Sequence, residues 1–168
     1  MLSFLFPRLT PAEARRGSAL FAAMVGEARR PHWYVDGQIP DTLDGRFAVL
    51  ATVTALATVR LERGGEAART EAVALAERFV EAMDVEHREL GIGDPTLGRK
   101  VRKLMGALAR RVELWRGAVD GGEWKTAVAE SLNVADADAV AHCEAALRIM
   151  WTRLETASDE ALIEGRIG

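Results

Sequence analysis

Between Arg46 and Arg60 the chain runs for 13 residues, Phe47 to Val59, without a charge. Read at helical period, Val49, Leu50, Val53, Ala55, Leu56 and Val59, with Thr52, Thr54 and Thr58 between them, put apolar or small groups on every side. A helix with no polar face is one surrounded by other helices. It cannot cross a bilayer, which takes roughly 18 or more apolar residues. The run therefore predicts a central helix from about Thr42 to Glu62, and with it the fold class: an all-α, single-domain bundle of about six or seven helices.

The rest of the chain supplies the surround. Strand signals are nearly absent, and 168 residues at 49% hydrophobic and 28% charged suit one soluble globular domain with a true core. Thr10-Pro11-Ala12-Glu13 is a capping box that opens a first helix carrying Ala14, Leu20, Phe21, Met24, Val25 and Ala28 to about Arg30, where Pro31 stops it. In the turn-rich connection that follows, Trp33 and Tyr34 are expected to pin the loop to the core, each with a polar tip that needs a partner.

Gly64-Gly65 ends the central helix. A third helix, about Glu66 to Leu90, points Val73, Ala76, Phe79, Val80 and Met83 inward, with Glu71, Glu77, Glu81, Asp84, Glu86 and Glu89 outward. Asp94-Pro95 starts a fourth, to about Val119, with Leu97, Val101, Leu104, Met105, Leu108, Val112 and Trp115 on its apolar stripe. Its other face is basic: Arg99, Lys100, Arg102, Lys103, Arg110, Arg111 and Arg116. After Asp120-Gly121-Gly122 come a short helix to Leu132 ended by Asn133, a long one capped by Asp136 or Asp138 and running to about Thr156, and a last turn capped by Ser158, beyond which the end is expected to fray.

Catalytic and metal-binding patterns fail on spacing. His32, His87 and His142 do not pair at ligand spacing along the chain, and Asp84-Val85-Glu86-His87 is a single imperfect copy of a motif that di-iron bundles use twice. Cys143 lies on the apolar stripe of the last long helix and reads as a small buried hydrophobe. Gly93 to Gly98 has the glycine spacing of a phosphate loop, but Arg99-Lys100 follows where lysine then serine or threonine is required, and no strand precedes it. A net charge of −3 argues against a general affinity for polyanions, the single cysteine suits a reducing compartment, and Met1 to Pro7 lacks the basic region of a signal peptide. The expected location is cytoplasmic.

Two turns carry more chemistry than a helix start needs. In Pro40-Asp41-Thr42-Leu43-Asp44-Gly45-Arg46-Phe47, Pro40 biases Ile39 to extended backbone, Asp41 is a candidate N-cap, Asp44 favours the first helical turn, and Gly45 admits a close backbone. The second turn is Leu90 to Lys100.

These turns resemble the two signatures of the ubiquinol–cytochrome c chaperone family. Tyr34, Ile39-Pro-Asp-Thr-Leu-Asp-Gly-Arg-Phe47 and Arg60-Leu61 are similar to the first. Met83-Asp84, Arg88-Glu-Leu-Gly-Ile-Gly-Asp94 and Gly98-Arg-Lys-Val-Arg-Lys-Leu-Met105 are similar to the second. The likeness runs from about Leu20 to Val119, a family-like core followed by a helical extension over 123–164. His87 departs from the apolar residue expected there.

The resemblance implies an all-α, non-enzymatic assembly chaperone that binds newly made cytochrome b and assists biogenesis of the ubiquinol–cytochrome c reductase (bc1) complex. It implies no cofactor for the chaperone, no DNA and no small-molecule substrate. It places the chain in the cytoplasm or peripherally on the inner membrane's cytoplasmic face, with the ribosome exit region or the anionic membrane surface as further partners. The alternative is a ribosome- or RNA-associated helical protein using the basic fourth helix. The residues carried over as a partner-binding set are Tyr34, Pro40, Asp41, Thr42, Asp44, Gly45, Arg46, Phe47, Asp84, Gly91, Gly93, Asp94, Gly98, Arg99, Lys100 and Lys103. If helices two to four are neighbours, Asp41, Asp44 and Arg46 form half of a polar clasp with Asp94, Arg99 or Arg102. Arg46 is then expected to have a buried or half-buried carboxylate partner.

Overall fold

At Gly17 the backbone turns left-handed, with φ 81°, and its N–H donates to Glu71 Oε1 at 3.0 Å. Glycine adopts that conformation without the steric cost other residues meet. The computed structural model describes residue 12, residues 15–89 and residues 97–168, with 85–89 and 97 described in backbone only. The capping box at Thr10 and the residues Gly91, Gly93 and Asp94 lie outside the described residues. The first helix, α1, is Ser18–Ala28. An uninterrupted helix through Ala14 was expected; Gly17 breaks it. Glu71 is also not on an outer face. It is only 2% exposed, and desolvation raises its carboxyl pKa while the Gly17 N–H partly offsets this.

The central helix, α2, is Leu43–Glu62, and from Ala48 to Val59 every residue is buried. Two of its three buried threonines pair their hydroxyls with the helix backbone, and Thr54 does not. Thr52 Oγ1 donates to Ala48 O at 2.7 Å and Thr58 Oγ1 to Thr54 O at 2.8 Å, so those hydroxyls are satisfied within the helix. Around it pack α1, α3 (Glu66–Glu89), α4 (Leu97–Val119), α5 (Trp124–Leu132) and α6 (Ala137–Thr156). With α7 (Asp159–Ile163), these are the seven α-helices among the described residues, sharing one hydrophobic core. The helices after residue 120 contribute Trp124, Val128, Leu132, Leu147, Met150 and Leu154 to that core.

Two stripes hold as expected at Phe79, Val80 and Met83 of α3 and at Leu108, Val112 and Trp115 of α4, and each loses one residue to solvent. On α3 the buried line is Ala68, Ala72, Leu75 and Phe79, and Val73 is 64% exposed. On α4, Leu108, Val112, Trp115 and Ala118 are buried, while Met105 is exposed. One residue along a helix is a rotation of about 100°, enough to carry a side chain off the contact line. On α3 the small residues Ala68 and Ala72 hold part of the line, and a hydrophobicity pattern underweights them.

The ends are tied to the middle. Arg60, near the end of α2, donates to Leu154 O at 3.0 Å and Ala157 O at 2.8 Å and pairs with Asp159 at 3.0 Å. Asp136 caps α6 by accepting from Asp138 and Ala139 N–H, and Ser158 caps α7 by accepting from Ala161 N–H. Asn133, at φ 54°, closes α5. The C-terminus does not fray: Arg153 Nε donates to Ile167 O at 3.0 Å and Gly168 O at 2.8 Å, and Ile167 packs on the core.

Leu56→Ala, at a fully buried point of α2, should lower the unfolding free energy by about 2–5 kcal/mol in chemical denaturation, because the bundle cannot collapse into the space. Val73→Ala should change it by no more than about 0.5 kcal/mol.

Candidate functional site

The loop between α1 and α2 is built on its aromatics. Pro31–Trp33 forms a single 3-10 turn. Trp33 is fully buried and donates from Nε1 to Glu27 O at 3.0 Å, and the Tyr34 hydroxyl donates to Ala28 O at 2.8 Å. Both polar tips close back onto the end of α1, as expected of amphipathic rings at a core edge. Burial, and then the Asp41 charge, raise the Tyr34 pKa.

The chain then enters α2. Thr42, not Asp41, is the N-cap: its Oγ1 accepts from Gly45 N–H at 3.2 Å. Asp44 sits in the first turn, where its charge suits the helix dipole. A Cβ on Gly45 would lie 1.9 Å from Pro40 O, so the tight turn from Pro40 to Gly45 requires glycine. Displaced from the cap, Asp41 meets Arg46 instead, Oδ1 to Nε at 2.6 Å, and that hydrogen bond lowers the Asp41 pKa. The two side chains are 60% and 62% exposed. Arg46 thus has a carboxylate partner within its own turn, at the surface rather than buried or half-buried.

Beside this turn lies a groove of about 650 Å³. Phe21 and Val25 of α1, Leu43, Phe47 and Leu50 of α2, and Met83 of α3 give it an apolar lining. Tyr34 and Val35 form one wall, and Arg29, Asp41 and Arg46 stand on its lip. The Phe47 ring lies 5.8 Å from that of Phe79 and has the Arg111 guanidinium 5.6 Å from its centroid.

Of the residues singled out in sequence, the groove brings together Tyr34, Asp41, Arg46 and Phe47. Pro40, Thr42 and Gly45 shape its edge. Asp84 is half-buried on the turn of α3 after Met83. Gly98, Arg99 and Lys103 are exposed on α4, Lys100 is half-buried there, and none of them lines the groove. Val35, 71% exposed, was not singled out; an apolar residue next to Tyr34 in a polar connection was the available signal.

The basic face is narrower than its sequence pattern. Arg111 turns inward and donates to Ala107 O at 3.2 Å and Ser131 O at 2.9 Å. Arg116 pairs with Glu62 of α2 at 2.7 Å and with Glu113. Arg99, Arg102, Lys103 and Arg110 remain exposed.

Among the described residues, no group of three or more His, Cys, Asp or Glu side chains could hold a metal ion. Cys143 is buried, and desolvation pushes its thiol up to about 11. One pairing was invisible along the chain: His32 Nδ1 and His142 Nε2 are 3.0 Å apart across 110 residues of sequence.

Residues 35–167 match the family described as ubiquinol-cytochrome C chaperone. Among solved structures, the chain is similar to one described as the crystal structure of the Cbp3 homolog from Brucella abortus, with 28% identity, a TM-score of 0.77, and coverage of 92% of this chain and 88% of that one. No curated protein matches the sequence. The family match takes in the helices after residue 120 and lends nothing to the RNA-associated alternative.

Gly45→Ala should destabilise the chain by about 1–3 kcal/mol, since Pro40 O must move to admit the methyl group. Asp41→Ala should shift the same denaturation curve far less than Gly45→Ala does, because the pair with Arg46 that it breaks is solvated.

Proposed function

The chain belongs to the ubiquinol-cytochrome C chaperone family, and from that premise we propose that it is a non-enzymatic assembly chaperone that holds newly made cytochrome b on its way into ubiquinol–cytochrome c reductase. The observation that carries the reading is the family match over residues 35–167, supported by the structural likeness to the Brucella abortus Cbp3 homolog. The groove is the proposed client contact, with Tyr34, Val35, Arg46 and Phe47 touching the client and Pro40, Thr42 and Gly45 holding their geometry.

The chemistry suits a client made of membrane helices. Such a segment exposes apolar side chains that must be covered and later released. Each buried side chain of leucine or phenylalanine size contributes about 1.5–3 kcal/mol. Two or three in a groove this size contribute about 3–9 kcal/mol before the cost of association is subtracted, so contact there is weak and permits release. No helix among the described residues is long and apolar enough to cross a membrane; in this reading the chain meets the client at the membrane surface. The exposed Arg99, Arg102, Lys103 and Arg110 suit an anionic neighbour there, the cytoplasmic leaflet or the ribosome exit region.

Deleting the gene should lower assembled bc1 complex while other respiratory enzymes keep their levels; normal bc1 in the deletion would sink the reading. A photo-crosslinker at Val35 should capture cytochrome b during its synthesis, and one at exposed Ile149, outside the groove, should not.

A further inference from the structure

The wall of the groove formed by Pro31, Tyr34 and Val35 is the outer side of a short loop whose inner side rests on α6. Three contacts make that seat. Cys143 Sγ approaches Gly37 O at 4.0 Å, Gln38 Nε2 donates to Asp136 Oδ1 at 3.2 Å, and the His32 and His142 rings meet at 3.0 Å with centroids 5.2 Å apart. The loop is cross-braced inside itself by Asp36 and Gly37 N–H groups donating to His32 O at 3.1 and 2.9 Å. Movement of His32 is therefore felt through the turn that carries Tyr34 and Val35.

We propose that the His32–His142 pair is a pH-sensitive latch that fixes this wall of the groove in place at neutral pH and releases it on acidification. The chemistry follows from the facing nitrogens. A hydrogen bond between two imidazoles needs one ring nitrogen to donate and the other to accept. Two neutral rings meet that need, and so does one neutral ring facing one cation. Two imidazolium rings do not: both nitrogens carry protons and the charges repel.

The surroundings set where the second proton enters. Burial, then the His142 charge and Arg30, disfavour charge on His32; Glu27 of α1 and Asp36 of the loop favour it. Glu27 is largely taken up by Arg30 at 3.3 Å and Arg153 of α6 at 3.6 Å. The balance lowers the His32 pKa from 6.5. A group whose folded pKa is depressed contributes stability that is present above its unfolded value and lost as the pH falls through the folded one. The latch is thus closed at neutral pH, and its contribution is lost as the pH falls through the lowered His32 value.

Its role in client handling rests on the groove reading above; its existence does not. Hydrogen exchange of residues 31–38 in the free chain, corrected for the intrinsic pH dependence of exchange, tests it directly. Wild type should open about five- to tenfold more at pH 5 than at pH 7.5, the loss expected for one hydrogen bond, with α2 unchanged. His142→Gln, which keeps a hydrogen-bonding partner but does not titrate, should respond less than about twofold, and so should His32→Gln. Equal protection of the wild-type loop at both pH values overturns the latch, as does an undiminished response in both variants. Val35 crosslinking to cytochrome b, compared at the two pH values, judges the client reading separately: its absence at both sinks that reading, while the exchange result still decides the latch.

Discussion

A helix with no face to offer water must be covered on all sides, and that constraint organises this protein. From Ala48 to Val59 every position of α2 is buried, and five other helices supply the cover. Hydrophobic burial drives the arrangement, and the Thr52 and Thr58 hydroxyls are paired to the backbone of α2 itself, while the buried Thr54 hydroxyl has no partner among the described residues. The demand for close neighbours suits the alanines at 68 and 72 on a facing helix, where the larger Val73, one position on, is left outside.

The same constraint makes the groove. A helix that ends its burial abruptly must leave the core, and α2 does so at its N-terminus. There Gly45 lets the Pro40 backbone pass within van der Waals reach, and Thr42 caps the first turn. The chain arrives from the side, α1 and α3 flank it, and an open apolar trough remains between them. Its lip is polar because the capping turn carries Asp41 and Arg46, which neutralise each other at the surface. An apolar floor beneath a neutralised, solvated lip is suited to weak, reversible contact with an apolar chain.

Much of this was legible residue by residue. The central helix, the caps at Asp136 and Ser158, the stop at Asn133 and the pinning of Trp33 and Tyr34 are local matters of period, capping and polar-tip satisfaction, which sequence encodes directly. Of the motif residues, those of the first turn lie at the groove because turn geometry is local, while Gly98, Arg99, Lys100 and Lys103 of the second do not line it. Less legible was anything decided by a partner far along the chain. Glu71 looked like an outer-face acid until Gly17 offered it a backbone N–H across 54 residues. Arg111 looked like part of a basic face until Ser131 O drew it inward. The C-terminus looked frayed until Arg153 reached its last two carbonyls.

By itself, then, the sequence determined that this is an all-α bundle around a buried helix, with a glycine-dependent, capped turn at the start of that helix. These properties follow from side-chain period and backbone stereochemistry, which act over a few residues. Only the tertiary structure decided that the turn opens onto a groove, that Asp41 and Arg46 meet each other on its lip, and that His32 faces His142. Those outcomes depend on which helix faces crowd α2 and how far each side chain can reach, and distance along a chain does not encode distance across a bundle.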